Sequence, residues 1–498
     1  MENIRTIEEI NDKIKKGDAV VVTAEEMVDI VKEKGSKVAA KEIDVVTTGT
    51  FGAMCSSGAF FNFGHSDPPI KMEKLTLNGI EAYHGNAAVD CYLGVTKMHP
   101  ERRFEYGGGH VIEELISGKE IELEATAYGT DCYPRKFLKT ILTLDDLNQA
   151  ILCNPRNAYQ RYATATNSSD EIIYTYMGKL LPNYGNATYS GAGSLSPLSN
   201  DPDYETIGIG NRIFLGGGIG YITNEGTQHD PKNKLGTIMV HGDLKQMKPE
   251  FLKGASFTGY GTSIYVGLGI PIPILNEGLA KKTGISDEEI KSNVLDYAVG
   301  RRSRPVLKET NYAELKSGKV LLDDKEIPVT PLSSIKESVE ISNILKKWIE
   351  KGTFFLTAPV ERLSRDRVFK PLKVASEIPL AKEIMDVAVT CKLSDDIDTV
   401  AKKIIDENVN HVAVVDEDYR LLGISTSFDI TKAVATGKTK LSDIMTKNVI
   451  TTKPEDSVNI CAKKLEEHDI SALPVVDRDN KILGIVTSEK ISSLLGKE

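Results

Sequence analysis

The pattern of apolar and polar positions in the first fifty residues predicts helices and strands in turn. Two segments have apolar residues at helical spacing, and each is followed by a glycine that ends the helix, whereas two shorter apolar runs have the length of buried strands. The predicted elements are helices Thr6–Lys16 and Ala24–Lys34, ended by Gly17 and Gly35, and strands Ala19–Thr23 and Ile43–Thr47. This alternation predicts an α/β fold, with a mixed α+β fold as the alternative.

The pattern changes in the middle of the chain, which is rich in glycine and tyrosine and has few periodic helices. A helix is predicted again at Ile335–Lys351, and the apolar run Phe354-Phe355-Leu356 after it predicts a strand. The mixed charge and two prolines that follow are typical of a linker. We therefore expect a glycine-rich N-terminal domain at 1–365 and a linker at 366–380.

The last quarter of the chain contains an internal repeat of about sixty residues. Each unit has an Ile-Met pair, an amphipathic helix, an apolar strand that ends in Asp, and a second strand and helix. These segments are Ile384-Met385, Ile397–Glu407, Val412–Asp416 and a strand from Leu422, then Ile444-Met445, Val458–Glu467, Leu473–Asp477 and a strand from Leu483. Two βαββα units in tandem resemble a CBS pair, or Bateman module, with repeats at 381–440 and 441–498.

The resemblance to CBS pairs implies an adenosyl ligand, such as S-adenosylmethionine, bound between the repeats. The CBS signature is a Thr or Ser followed three residues later by an Asp that holds the ribose hydroxyls. The first repeat has Thr426 and Asp429, whereas the second has Thr487 and Lys490. Because an ammonium cannot accept hydrogen bonds from hydroxyls, we expect one site at Thr426 and Asp429 and an empty or altered second site. The alternative is a ligand-free dimerisation module.

Composition excludes several classes of function. The net charge of -10 and the pI of about 5.5 argue against a nucleic-acid partner. The polar N-terminus and the lack of a long apolar run predict a cytoplasmic protein without a membrane partner. The six cysteines include no CxxC pair and the histidines are scattered, so we expect no iron–sulfur cluster, no metal site and no tightly bound cofactor.

Cys132 lies in the segment Ala127–Arg135, between turn-forming residues and next to Arg135 and Lys136. Nearby positive charge favours a thiolate, which is a nucleophile and can carry sulfur. The alternative is an ordinary buried thiol, because free cysteine is among the most buried residue types. The segment alone leaves both interpretations open.

A second thiol, Cys55, follows a predicted strand in a loop, which is where α/β folds place ligand sites. Glycine clusters at 107–109, 191–193, 216–220 and 259–261 lack the spacing of nucleotide-binding loops, so tight turns explain any one of them better than a ligand. Taken together, they leave a pocket lined by backbone as the alternative. The densest cationic run contains Arg301, Arg302 and Arg304. A solvated surface is its default interpretation, and a clamp for a substrate carboxylate is the alternative.

The segments TFGAMCSSGA around Cys55 and AYGTDCYPR around Cys132, ahead of a CBS pair, resemble the homocysteine biosynthesis family of methanogenic archaea and some anaerobic bacteria. The resemblance covers essentially the whole chain. It implies a sulfurtransferase that carries sulfur as a cysteine persulfide and transfers it to L-aspartate semialdehyde, giving L-homocysteine after two-electron reduction. It places the reactive cysteine at Cys132, with Cys55 as the second thiol.

The resemblance also implies the partners. The family works with a separate iron–sulfur protein of the ferredoxin type, which suits a chain without cluster ligands or a nicotinamide motif. Sulfide or another donor would supply the sulfur, Arg135 would stabilise its anion, and the CBS pair would sense an adenosyl ligand and form a homodimer. His65, His110 and Asp131 are alternative general acids.

Two other functions are weighed against this one. An IMP-dehydrogenase-like oxidoreductase also combines a loop cysteine, glycine clusters and CBS repeats, but its CBS pair is inserted within a barrel, and the rhythm of a TIM barrel is not visible here. The non-enzymatic alternative is a nucleotide-sensing regulatory protein. It predicts that Cys132→Ser leaves function intact.

Overall fold

The computed structural model describes residues 5–322, 324–372 and 379–495. The chain divides into two compact units, Met1–Lys370 and Pro371–Glu498. Both units combine helices with strands, so the predicted mixed α/β class is confirmed. Part of the predicted linker, residues 373–378, lies outside the described residues. No helix in the described ranges is long and apolar enough to cross a membrane.

The N-terminal unit begins with the predicted alternation of helices and strands. Helix Ile7–Lys16 starts at Thr6, whose side chain accepts from the Glu9 backbone N–H while the Glu9 carboxylate accepts from the Thr6 N–H. Helix Ala24–Lys34 starts with the same capping box at Thr23. The strands Val21–Thr23 and Val45–Thr47 pair in parallel across Ala24–Lys34 and Ser36–Glu42, and Pro271–Pro273 completes the sheet.

A nine-stranded sheet forms the centre of the N-terminal unit, and its pairs are antiparallel. Helix Gly108–Ile116 packs against its strands at one end, and helix Ile335–Glu350 packs against its strands near Thr50–Ala53. Along the sheet the strands are Leu252–Phe257, Gly261–Gly269, Arg212–Leu215, Gly218–Glu225, Thr237–Asp243, Gln149–Tyr159, Gly58–Asn62 and Asp90–Gly94, and Thr50–Ala53 pairs with Gly261–Gly269.

Two further sheets extend this unit. The four-stranded sheet has the order Phe137–Leu142, Ile121–Thr126, Lys74–Leu77, Ile80–Ala82. The six-stranded sheet has the order Val306–Asn311, Lys291–Asp296, Thr164–Thr166, Ala187–Tyr189, Lys325–Pro331, Lys319–Leu322, with helix Tyr312–Lys316 beside it. Most pairs in the unit are antiparallel, unlike the parallel barrel that the IMP-dehydrogenase-like alternative requires.

Smaller elements complete the unit. The short helices are Pro197–Asn200 and Glu277–Thr283, and the two-stranded pairs are Met98–His99 with Arg103–Gly107, Ile173–Thr175 with Gly178–Leu180, and Gly208–Ile209 with Glu361–Arg362.

The predicted strand Phe354-Phe355-Leu356 is wrong, because these residues form no strand. Phe354 is fully buried and its ring lies 6.4 Å from that of Trp348. The apolar run therefore covers the helix that precedes it, where buried side chains rather than a strand ladder satisfy the hydrophobic pattern.

The C-terminal unit contains the two predicted repeats. In the first, helix Ala381–Ile384 precedes Thr390–Lys392, Ile397–Asp406, His411–Val415, Leu421–Thr426 and Ser427–Thr436; in the second, the elements are Val458–Glu467, Ala472–Val476, Ile482–Thr487 and Ser488–Leu495. Two apolar clusters form the core of this unit: one contains Cys391 together with Leu441 of the second repeat, and the other contains Cys461 together with Ala381 and Ile384 of the first. Both of these cysteines are therefore structural.

Candidate active site

A cavity of about 560 Å³ in the N-terminal unit is lined by residues of both the nine-stranded and the six-stranded sheets. Its wall combines a thiol with cationic side chains and tyrosines, and it has no Asp or Glu among the described residues that line it. These groups are Cys55, the cations Arg156, Arg161, Lys234 and Arg304, and the tyrosines Tyr159, Tyr162, Tyr176, Tyr260 and Tyr297. Such a wall has a positive potential, which favours an anionic ligand.

Cys55 is the thiol of this cavity. It follows the strand Thr50–Ala53, and its Sγ lies 3.1 Å from the Oγ of Ser263 on the neighbouring strand. Burial raises the pKa of the half-buried Cys55 thiol, while the Ser263 hydroxyl and the charge of Arg156 oppose that rise. The thiol is therefore protonated at neutral pH, and Arg156 is placed to stabilise a sulfur anion on it.

The glycine cluster at 107–109 packs against the strand that carries Ser263. A Cβ on Gly109 would lie 2.1 Å from the backbone oxygen of Ser263, and a Cβ on Gly108 would lie 2.2 Å from that of Gly94. Helix Gly108–Ile116 can pack this closely only because these residues lack side chains. The cluster therefore serves close packing beside the thiol.

The cationic side chains of the cavity differ in how far they are already paired. Arg161 lies 2.8 Å from the Asn293 side-chain oxygen and 3.2 Å from the Glu309 carboxylate. Arg156 and Arg304 each have a buried Nε with no hydrogen-bond partner among the described residues. Because unpaired buried donors are costly, these two arginines are the best placed to bind an anionic group of a ligand.

The tyrosines also differ in what their hydroxyls contact. The Tyr176 and Tyr297 hydroxyls lie 2.9 Å apart and form one hydrogen bond. Tyr159 stacks near Tyr162, with 4.4 Å between ring centroids, and its hydroxyl interacts with Arg156. Burial raises the pKa of Tyr159 and of Tyr260, so both are protonated at neutral pH. Sequence reasoning noted the abundance of tyrosine in this region but assigned these residues no role.

The environment of Cys55 predicts a specific pH dependence of alkylation. Because burial raises the thiol pKa, iodoacetamide should react slowly with Cys55 at pH 7 and faster as the pH rises through and beyond the ordinary thiol range. Arg156→Gln removes a cation, so the pKa should rise further and alkylation at pH 8 should slow by about 3- to 10-fold. Peptide mass spectrometry measures the rates, and equal rates in both proteins would contradict a role for Arg156.

Cys132 lies in the loop between the strands Ile121–Thr126 and Phe137–Leu142 and is exposed. The turn around it is closed by hydrogen bonds between the backbones of Thr130 and Tyr133, and the Thr130 Oγ1 lies 3.5 Å from the Cys132 Sγ. The structure therefore excludes the buried-thiol alternative for Cys132. The described residues that line the cavity around Cys55 do not include it.

Arg135 contacts a neighbouring loop. Its Nε donates to the Pro68 carbonyl at 2.9 Å, and a terminal nitrogen donates to the Asp67 carbonyl at 2.5 Å. Its backbone N–H donates to the Pro69 carbonyl at 3.2 Å. These bonds use the guanidinium to fix the loop that precedes the four-stranded sheet, and no described hydrogen bond joins it to the Cys132 thiol.

Of the three arginines predicted as a carboxylate clamp, Arg304 lines the cavity. Its guanidinium carbon lies 4.1 Å from the centroid of the Tyr297 ring. Arg301 and Arg302 are exposed, and Arg302 lies over the ring of Phe369 at 4.4 Å. This cationic segment therefore lies partly on the exposed surface and partly in the cavity wall.

The predicted general acids do not line the described wall of the cavity. His65 packs against Tyr133, with 5.8 Å between the ring centroids, and Asp131 is exposed. The His110 Nδ1 accepts from the Gly107 N–H, and burial lowers the pKa of this histidine. Among the described residues, no three His, Cys, Asp or Glu side chains are grouped as they would be to hold a metal ion.

The C-terminal unit has its own cavity of about 460 Å³, which is lined by residues of both repeats. Thr426 lines it, and the Asp429 carboxylate accepts from the Thr426 N–H at 2.8 Å and from its hydroxyl at 2.7 Å. Lys490, which replaces the expected Asp in the second repeat, forms an ion pair with Asp386 at 2.6 Å. The two repeats therefore contribute different polar groups.

Comparisons with known proteins identify both regions. A family profile described as homocysteine biosynthesis enzyme, sulfur-incorporation, matches residues 19–356, and the CBS domain profile matches 381–436 and 441–497. The chain is 55% identical over 495 residues to the L-aspartate semialdehyde sulfurtransferase of Methanosarcina acetivorans and 53% identical over 509 residues to that of Methanocaldococcus jannaschii, with 99% of both chains covered in each case.

A crystal structure of a CBS domain pair in complex with 5′-methylthioadenosine and S-adenosyl-L-methionine is 43% identical; the match covers 24% of this chain and 97% of that chain, with a TM-score of 0.24. The family profile spans most of the N-terminal unit, and the two CBS matches cover the repeats. The chain therefore belongs to the homocysteine biosynthesis enzyme family and carries a CBS domain pair at its C-terminal end.

Proposed function

We propose that this protein is an L-aspartate semialdehyde sulfurtransferase in which Cys55 carries the sulfur as a persulfide. The observation that carries the proposal is the Cys55 thiol in a cavity whose described wall has four cationic side chains and no carboxylate. The two relatives of 55% and 53% identity bear this activity in their names and match over nearly their full length, which supports the choice of substrate.

The proposed addition step uses two arginines in different ways. A persulfide anion on Cys55 attacks the aldehyde carbon, so that a carbon–sulfur bond forms and the electron pair of the C=O bond moves to oxygen. Arg156, whose charge already acts on the thiol, stabilises the sulfur anion before the attack. Arg304 binds the substrate carboxylate with its planar fork, while Tyr297 supports the guanidinium.

The electron balance supports a second thiol, which we assign to Cys132. Persulfide sulfur and an aldehyde together need four electrons to become a thiol and water. Two of these electrons come from the two cysteine thiols. The Cys132 thiolate attacks the Sγ of Cys55, and the bond between that Sγ and the transferred sulfur breaks. A Cys55–Cys132 disulfide forms, and the substrate leaves with the transferred sulfur. Water is then lost, and an external donor supplies the other two electrons. Sulfide reopens the disulfide by attack on Cys55 and restores the persulfide.

Two parts of this scheme lie outside the cavity. The described contacts of Cys55 do not include Cys132, so the exposed loop at 127–136 has to move for the two thiols to react. The external electron donor is proposed to be a ferredoxin-like iron–sulfur protein, because the sequence has no CxxC pair to hold a cluster.

Locating the added sulfur tests the proposal. The protein is incubated with sulfide under mild oxidation, and the peptides are analysed by mass before and after addition of L-aspartate semialdehyde and a reductant. We expect one extra sulfur on the Cys55 peptide and its recovery as homocysteine. Sulfur on the Cys132 peptide alone would assign the carrier role to Cys132. Sulfur on neither peptide would favour the non-enzymatic sensor.

The CBS pair is proposed to bind one adenosyl ligand at Thr426 and Asp429. Asp429→Ala should weaken binding of S-adenosylmethionine by about 10- to 100-fold, because a buried ribose would lose a charged hydrogen-bond acceptor. Calorimetry on the full chain measures the affinity, and 5′-methylthioadenosine is titrated in parallel. Thr436→Ala, at the far end of the same helix, is the matched control. Unchanged affinity in Asp429→Ala would contradict this placement.

The remaining assignments concern assembly and location. We propose a cytoplasmic homodimer that associates through the CBS pair, whose exposed apolar side chains include Phe428 and Val434. Light scattering on the full chain tests the association, and a monomer at micromolar concentration would contradict it.

A further inference from the structure

The proposed addition step leaves a negative oxygen that needs a proton. When sulfur adds to the aldehyde carbon, the carbonyl oxygen takes the electron pair, and a general acid lowers the barrier by protonating it. No histidine is among the described residues that line the cavity. The tyrosines are the lining residues whose O–H groups suit this task, because the ordinary pKa of tyrosine keeps it protonated at neutral pH.

The turn between the strands Leu252–Phe257 and Gly261–Gly269 places Tyr260 at this cavity. The Tyr260 N–H donates to the Phe257 carbonyl at 3.0 Å, and Gly259 has a φ of +72°, which favours glycine. The strand that follows the turn carries Ser263, which lies 3.1 Å from the Cys55 thiol. The same strand therefore begins directly after the turn and contacts the thiol through Ser263.

The contacts of the other tyrosines separate them from Tyr260. Tyr176 and Tyr297 share one hydrogen bond between their hydroxyls. Arg156 lowers the pKa of Tyr159 and Cys55 raises it, but Tyr159 is less exposed than Tyr260, and Tyr162 packs on Tyr159. Tyr260 lines the cavity together with Cys55, each of these two residues affects the pKa of the other, and 39% of Tyr260 is exposed. It is therefore close to the place where sulfur would attack and can regain a proton from water.

We propose that Tyr260 is the general acid that protonates the aldehyde oxygen as the sulfur on Cys55 adds to the aldehyde carbon. This inference rests on the proposed function. In the step, the carbon–sulfur bond forms, the C=O electron pair moves to oxygen, and the Tyr260 O–H proton follows it. The products are a hydroxyl group on the substrate and a tyrosinate, which water reprotonates. The addition step itself needs no oxidant or reductant.

The surroundings of Tyr260 favour the protonated form before the step. Burial and the neighbouring Cys55 both raise the pKa of Tyr260, so its proton is retained at neutral pH until an oxyanion develops beside it. The edge-to-face contact with Tyr176, at 6.2 Å between ring centroids, positions the ring in the wall. Tyr260 thus combines position and a retained proton.

Single-turnover transfer from the loaded enzyme tests this role. Wild type and Tyr260→Phe are loaded with sulfur on Cys55, and loading is measured by peptide mass. L-Aspartate semialdehyde is then added with dithiothreitol as the reductant, and transfer is measured as homocysteine formed, because dithiothreitol alone releases the persulfide sulfur as sulfide. We expect equal loading but transfer slowed by about 100- to 1,000-fold in Tyr260→Phe, with the KM for the aldehyde nearly unchanged. The rate of wild type should fall at high pH as Tyr260 loses its proton, and Tyr260→Phe should lack that fall.

Two further variants make the result decisive. Tyr174→Phe removes a hydroxyl from the ring that packs on Gly259, outside the described cavity wall, and should transfer at the wild-type rate. If Tyr174→Phe also transferred sulfur slowly, the loss of rate would come from a disturbed turn rather than from the missing Tyr260 proton, and the proposal would be overturned. Normal transfer in Tyr260→Phe, or a greater loss in Tyr159→Phe, would also overturn it. Wild type that loads sulfur but never transfers it would instead refute the proposed function.

Discussion

Replacing Cys55 with serine should abolish homocysteine formation, with a loss of at least about 1,000-fold, because a hydroxyl cannot carry sulfur as a persulfide. Cys55 is the thiol of the cationic cavity, and Ser263, Arg156 and Tyr260 are among the groups that act on it. The measurement is homocysteine formed from L-aspartate semialdehyde and sulfide in the presence of a reductant. Loss of sulfur loading at Cys55 should accompany the loss of activity.

Two further cysteine variants separate the roles of the thiols. Cys153→Ser is the matched control, because Cys153 is half-buried on the strand paired with Gly58–Asn62 and is absent from the described cavity wall. It should keep near wild-type activity. Cys132→Ser should still load sulfur from sulfide under mild oxidation, and it should regain activity when a small thiol replaces Cys132 as the resolving group, because sulfide can then attack the mixed disulfide on Cys55. If Cys55→Ser stayed active while Cys132→Ser lost loading, the carrier would be Cys132.

Replacing Arg304 with methionine should raise the KM for L-aspartate semialdehyde by about 10- to 100-fold, because a charge-assisted bidentate contact contributes about 1.5–3 kcal/mol. Methionine keeps an apolar chain against Tyr297, so packing of the wall is largely retained. Steady-state kinetics measure KM and kcat separately. Because the carboxylate is remote from the aldehyde carbon, kcat should change much less than KM.

Neighbouring arginines provide the controls for this prediction. Arg301→Met removes an exposed charge from the same run outside the described cavity wall and should leave KM unchanged. Arg304→Lys keeps the charge but loses the planar fork, so its KM should be intermediate. A KM that rose equally in Arg301→Met and Arg304→Met would indicate general electrostatic attraction and would contradict a carboxylate clamp at Arg304.

Local signals explain which parts of the fold could be predicted from sequence. Helix Ala24–Lys34 was predicted with its observed bounds, and it has a capping box at Thr23 and glycine at Gly35. The prediction of a strand at Phe354–Leu356 was wrong because three consecutive apolar residues are compatible both with a strand and with a coil that packs against a helix. The antiparallel sheets of the middle region depend on pairings between distant segments, which periodicity does not specify.

The same distinction applies to the site. Arg135 is adjacent in sequence to the Cys132 segment, and this adjacency suggested that it would stabilise the thiol. In the structure its donors are occupied by the carbonyls of Asp67 and Pro68. Conversely, Arg156 is about a hundred positions from Cys55 in sequence, and nothing in its own segment indicated that it acts on that thiol.

The sequence by itself determined the repeat, the capped helices, the two thiols of interest and the family, because each depends on residues within one short segment or on a motif. Only the tertiary structure decided that Cys55 lies in the cationic cavity, that Cys132 is exposed, and that Arg304 alone of its run lines that cavity. The physical reason is that a cavity is assembled by strand pairing across the chain: Cys55 meets Ser263, 208 positions away, through that pairing.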